Sequence, residues 1–99
     1  MSTEKINLSK FTESEKVKIA ASPISPKDVL IELASAESDK IKKAVASNDY
    51  APLKVYELLY KDNSKAVKLA IASQTNLTEE ILLHLAKDSA KEIRSLVFS

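Results

Sequence analysis

One phrase recurs along this 99-residue chain at a nearly fixed interval, and the recurrence limits the available folds more than composition does. It reads IKKAVASN at Ile41–Asn48, VKLAIASQ at Val67–Gln74 and IRSLVFS at Ile93–Ser99, with a weaker copy, KVKIAASP, at Lys16–Pro23. Aligned on Ala21, Ala46, Ala72 and Phe98, the copies lie 25, 26 and 26 residues apart. A second phrase falls between them: SPKDVLIELA at Ser25–Ala34, APLKVYELLY at Ala51–Tyr60 and LTEEILLHLA at Leu77–Ala86. A period of this size marks a repeat architecture, in which each unit hides its apolar side only against the next.

Both phrases carry helical rather than alternating periodicity, so no strand is expected. Helix one is expected over about Thr12–Ala21, with Thr12 and Glu15 spaced as a capping box. Ser25 caps the second, with Pro26 at its first position. Val29, Leu30, Leu33 and Ala34 form its apolar face. The third runs over about Asp39–Ser47 on Ile41, Ala44 and Val45, with Asn48 as a left-handed cap in a chain that has no glycine. Pro52 opens the fourth, Lys65–Ser73 forms the fifth, and the sixth starts near Thr78 on Ile81, Leu82, Leu85 and Ala86. Ser89 and Glu92 cap the seventh, which carries Ile93, Leu96 and Val97. Ile24 with Val29, and Tyr50 with Val55, have the spacing of hydrophobic staples. The expectation is all-α: a short right-handed α-solenoid of about three and a half two-helix repeats, with residues 1–10 a flexible tail and 11–99 one domain. Helices this short are marginal alone and need neighbours to hold them.

The phrase V/I-K/R-x-x-V/I-A-S-N, followed after about six residues by V/I-L-x-x-L-A, resembles the leucine-rich repeat variant family and, more loosely, HEAT-like repeats. It stands here as IKKAVASN…VYELLY and VKLAIASQ…ILLHLA, and the likeness covers about residues 15–99. The resemblance implies a helical solenoid whose surface recognises a partner. Some members of the variant family hold an iron–sulfur cluster on cysteines; this chain has no cysteine, so that feature is not carried over.

Fifteen basic and fourteen acidic residues give a net charge of +1, so no global field points to nucleic acid or an anionic membrane. Without cysteine there is no disulfide, thiolate metal site or cysteine nucleophile. No apolar run approaches the ~20 residues that span a bilayer, and the first residues lack the apolar core of a signal peptide. A cytoplasmic protein is expected, without cofactor and without enzymatic activity.

Candidate binding residues fall in two sets. On the second helices, opposite the apolar Val29, Val55 and Ile81, stand Ile31, Leu58, Leu83 and His84. Repeat two adds Tyr50, Tyr56 and Tyr60, and tyrosine supplies both area and a polar handle at interfaces. Tyr60 stands where the sister phrases have Ala34 and Ala86, so filling a wider gap is the other role open to it. These residues form the expected partner-binding face for another protein. His84, the only histidine, has no second ligand at metal spacing and no nucleophile beside it. The alternative is a nucleic-acid ladder of Lys18, Lys42, Lys43, Lys65, Lys68 and Arg94. Against it, Asp62 and Asp88 precede Lys68 and Arg94 by six residues, a spacing that suits structural ion pairs. Phe98 stands where its siblings have alanine; it either seals the end of the stack or leaves an apolar end for a weak homodimer, with a monomer the other state open.

Overall fold

A computed structural model describes residues 8–36 and 38–97. Among them it contains a 3-10 turn at Leu8–Lys10 and seven α-helices: α1 Glu13–Ala21, α2 Lys27–Leu33, α3 Asp39–Ala46, α4 Leu53–Leu59, α5 Lys65–Ala72, α6 Glu79–Ala86 and α7 Lys91–Val97. No described residue is in a strand. The odd-numbered helices begin at 13, 39, 65 and 91 and the even-numbered ones at 27, 53 and 79, a constant interval of 26. Structural equivalence in the first copy is therefore shifted by one from the sequence alignment. Ala20, not Ala21, matches Ala46 and Ala72, and it is buried where Ala21 is exposed. The expectations for Phe98 and for residues 1–7 of the tail lie outside the described residues. Leu8, placed in the tail from sequence, is instead buried in the core.

The caps explain most of the boundaries. Thr12 accepts from the Glu15 amide at 3.1 Å while Glu15 accepts from the Thr12 amide at 2.8 Å, the expected capping box. Ser38, Ser64 and Thr78 accept from the amides of Ile41, Val67 and Ile81. Helices α2 and α4 differ from expectation. Pro26 and Pro52 are themselves the N-caps, in extended conformation and without a side-chain cap bond. The Ser25 hydroxyl turns away and donates to the Ile19 carbonyl at 2.6 Å, closing the end of α1. Neither staple forms as expected, since Ile24 and Tyr50 are exposed. At α7, Asp88 rather than Ser89 accepts from the Ala90 amide, at 2.9 Å.

Asn48 is not left-handed, and no described residue has positive φ. A chain without glycine would incur strain to end its helices in that way. It ends them with side-chain amides from further along the chain. Asn48 Nδ2 donates to the carbonyls of Ala20 and Ser22, each at 2.9 Å, and Gln74 Nε2 donates to the Ala46 carbonyl at 2.9 Å. Asn48 is 4% exposed and its Oδ1 accepts from the Tyr50 amide at 2.9 Å, so its polar atoms are satisfied.

Packing follows chain order on one side: α1 lies on α3, α3 on α5 and α5 on α7. Each odd-numbered helix also touches its even-numbered sequence neighbours, and α2 lies beside α4. Between them runs one core that includes Leu30, Leu33, Val45, Val55, Leu59, Val67, Ile71, Ile81, Leu85 and Ile93. The molecule measures 44 × 25 × 18 Å. No helix among the described residues is long and apolar enough to cross a membrane.

Candidate partner-binding surface

Helices α4 and α6 bury Val55, Leu59, Ile81 and Leu85 and turn other residues outward. Leu58 is 43% exposed and Leu83 is 56% exposed, each on a helix whose other side is core. His84 is exposed beside Leu83. Ile31 on α2 is half-buried and packs against the core, so it contributes only an edge. Tyr50 stands 68% exposed in the connection between α3 and α4.

The other two tyrosines separate. Tyr56, expected on the binding face, is fully buried at 0% exposure. One 26-residue interval away in either direction are Leu30 and Leu82, so its ring takes an aliphatic core position. Its hydroxyl donates to the Asn48 carbonyl at 3.2 Å, and burial, with Asp49 nearby, pushes its pKa upward. Tyr60 is buried as well, but it bridges rather than merely fills. Its hydroxyl donates to Glu80 Oε2 at 3.2 Å, its ring meets the His84 ring nearly perpendicular at 5.0 Å, and Lys61 Nζ sits 5.4 Å from its centroid. The backbones of α4 and α6 do not approach as those of α2 and α4 do. Tyr60 reaches from the end of α4 to Glu80 and His84 on α6.

The basic residues are largely committed elsewhere. Lys42 Nζ lies 2.7 Å from Asp62 Oδ1 and Lys68 Nζ lies 2.8 Å from Asp88 Oδ2, both pairs mostly withdrawn from solvent. The expected pairing of Asp62 with Lys68 and Asp88 with Arg94 is thus replaced. Each acid reaches the lysine twenty positions before it, because the turn preceding an odd-numbered helix lies against the previous odd-numbered helix. The second carboxylate oxygen accepts from the Ser64 and Ala90 amides respectively, at 2.9 Å, so each aspartate joins two helices. The bond from Lys68, with the Ala90 amide, holds Asp88 below the usual carboxylate range. Burial alone would raise Asp62, but Lys42 and the Ser64 amide outweigh it and lower it too. The Asp62 bond raises Lys42. Arg94 donates to the Asp88 backbone carbonyl at 2.6 Å, and Lys65 forms an exposed pair with Glu92 at 3.1 Å. Lys18 and Lys43 remain on the open surface.

Two exposed aliphatic residues escape the sequence reading, Leu53 at the start of α4 and Ile24. Ile24 is 88% exposed and lies 26 residues before Tyr50, so both project from the connections between an odd-numbered helix and the next. Reading Ile24 only as a staple hides it; its register with Tyr50, already a candidate, is the available signal. Among the described residues no three or more His, Cys, Asp or Glu side chains group as metal ligands. Compared with protein-family models, curated proteins and solved structures, the chain matches none.

Proposed function

We propose that the seven helices form a short right-handed α-solenoid of the leucine-rich repeat variant or HEAT-like kind, working as a non-enzymatic protein-interaction module. The constant 26-residue interval of helix starts and the chain-order packing of the odd-numbered helices support the solenoid reading. The partner is another protein, held across the outward side of α4 and α6 by Leu58, Leu83 and His84, with Tyr50 at the rim and Tyr60 as support. In that role the chain is a small cytoplasmic adaptor or a stoichiometric inhibitor, acting as a monomer or weak homodimer. The observation that carries the reading is the pair of leucines, Leu58 and Leu83, left open on helices whose opposite side buries Val55, Leu59, Ile81 and Leu85. Interface centres are built from such apolar anchors within a polar rim. The nucleic-acid reading is weaker, because Lys42 and Lys68 are spent on Asp62 and Asp88.

The test compares wild type with Leu83→Asp in capture from host extract, at low salt and at about 0.5 M salt, with and without nuclease. The expected result is a protein held by wild type at both salts and lost by Leu83→Asp, whose unfolding temperature is unchanged. Capture that survives Leu83→Asp, or that disappears with salt and nuclease together, contradicts the proposal.

A further inference from the structure

The connections that follow α1 and α3 lie side by side, joined through the buried side chain of Asn48. Asn48 Nδ2 donates to the Ser22 carbonyl at 2.9 Å, and its Oδ1 accepts from the Tyr50 amide at 2.9 Å. Ser22 Oγ in turn accepts from the Ile24 amide at 3.3 Å. The backbone at Ile24 and Tyr50 is thus held, while their side chains stand as the two most open large hydrophobics among the described residues. Leu53, three residues after Tyr50, is open too. Beside Ile24 a groove of about 370 Å³ is lined by Ile19 and Pro26, with Lys18 its one charged group. Positive charge collects at the same place. Residues 17–28 and 43–54 hold Lys18, Lys27, Lys43 and Lys54 against Asp28 and Asp49. All four lysines are exposed, and none forms a salt bridge with a described carboxylate. One interval further, residues 69–80 have no lysine, Asn76 at the register of Tyr50, and the acids Glu79 and Glu80. Apolar and basic character end together.

We propose that this edge docks on an anionic lipid bilayer, with Ile24, Tyr50 and Leu53 entering the interface and the four lysines meeting lipid phosphates. A bilayer takes up a side chain as open as Ile24 without a matching pocket, and tyrosine rings settle at headgroup depth. Lysines held at that depth are drawn to anionic lipid. Because the backbone at Ile24 and Tyr50 is already bonded, no segment has to order on binding. Two copies of this chain meeting edge to edge would oppose lysine to lysine, whereas an anionic surface complements them. The edge lies at the C-terminal ends of α1 and α3. Leu8 lies beyond the other end of α1, in a groove with Leu33 and Ala36, and α7 lies beyond α5. The site is separate from the Leu58–Leu83 face, and its test does not depend on that face.

The full chain is sedimented with vesicles of phosphatidylcholine alone and with vesicles containing about 40% phosphatidylglycerol. The expected outcome is binding to the anionic vesicles only, weakened at about 0.5 M salt. Ile24→Ser weakens it about tenfold and Lys54→Gln about fivefold, each with an unchanged unfolding temperature. Leu83→Asp leaves it unchanged. In a chain without tryptophan, Tyr50→Trp reports entry directly, through a blue shift of its fluorescence on the anionic vesicles. No binding to them at about 1 mM lipid overturns the proposal. So does binding indifferent to Ile24→Ser, which is adsorption by charge alone. Capture of an acidic protein from host extract by wild type and not by Ile24→Ser, with the vesicles left unbound, overturns it by assigning the edge to that partner. Self-association lost in Ile24→Ser, again without vesicle binding, overturns it by assigning the edge to a second copy.

Discussion

The odd-numbered and even-numbered helices solve the same problem, burial of a short amphipathic helix, with different degrees of commitment. Along the odd-numbered row each junction between neighbours adds a directed polar tie to the apolar contact. Asn48 joins α3 to α1 and Gln74 joins α5 to α3, while Asp62 and Asp88 tie the starts of α5 and α7 to Lys42 and Lys68. Along the even-numbered row, α2 and α4 approach closely, whereas the polar contact from the end of α4 to α6 is made by Tyr60, which meets Glu80 and His84. Leucines stay open there. The difference teaches that one row fixes the register of the whole molecule, leaving the other free to vary its surface.

Substitutions that attack each row separately break or sharpen this contrast. The largest effect belongs to Ile71→Asp on α5, which is fully buried among the core aliphatics. An unpaired carboxylate there costs more than about 4 kcal/mol, and loss of the helical circular-dichroism signal at 25 °C is expected. Next comes Asn48→Ala, which leaves the Ala20 and Ser22 carbonyls and the Tyr50 amide without their partner. A loss of about 3 kcal/mol in denaturant unfolding is expected, against about 1 kcal/mol for Gln74→Ala, whose one amide bond is less buried.

Asp88→Asn ranks third, at about 1.5 kcal/mol near neutral pH. Its carboxyl lies below the usual range in the folded chain, so its contribution is complete above the unfolded value of about 3.9 and disappears as pH falls through the folded one. Wild type and Asp88→Asn should therefore converge in acid. Asp62 behaves with the same sign. Lys42 is raised, so its contribution holds below about pH 10.4 and is lost as pH climbs through its folded value. The smallest effect is Leu83→Asp on the even-numbered row, expected within about 0.5 kcal/mol of wild type because the side chain is already open to solvent. A Leu83→Asp variant as unstable as Ile71→Asp would abolish the distinction between the rows.

Much of this architecture is legible in the sequence. The capping box at Thr12, the seven helices among the described residues and most core positions follow from short-range spacing, but Leu96, expected beside Ile93 on the buried side of α7, is exposed and Leu82 on α6 is only half-buried. The first copy was misregistered because Glu15, used by that capping box, stands where Ile41, Val67 and Ile93 fill the core in later copies. Matching AS to AS then pulled the alignment one residue away. The burial of Tyr56 was implied by its register with Leu30 and Leu82, and the i, i+4 spacing with Tyr60 drew it wrongly to the surface. The partners of Asn48, Gln74, Asp62 and Asp88 were not readable. Their bonds span 20 to 28 residues and depend on how far one helix is displaced along the next, which no local pattern encodes.

The most direct measurement is of through-space proton contacts from the side-chain amides of Asn48 and Gln74. Cross-peaks from the Asn48 amide to Ala20 and from the Gln74 amide to Ala46 are predicted, each reaching one helix back along the odd-numbered row. If both amides instead show contacts only within their own turns, the odd-numbered helices are not tied side by side in chain order and the account is wrong.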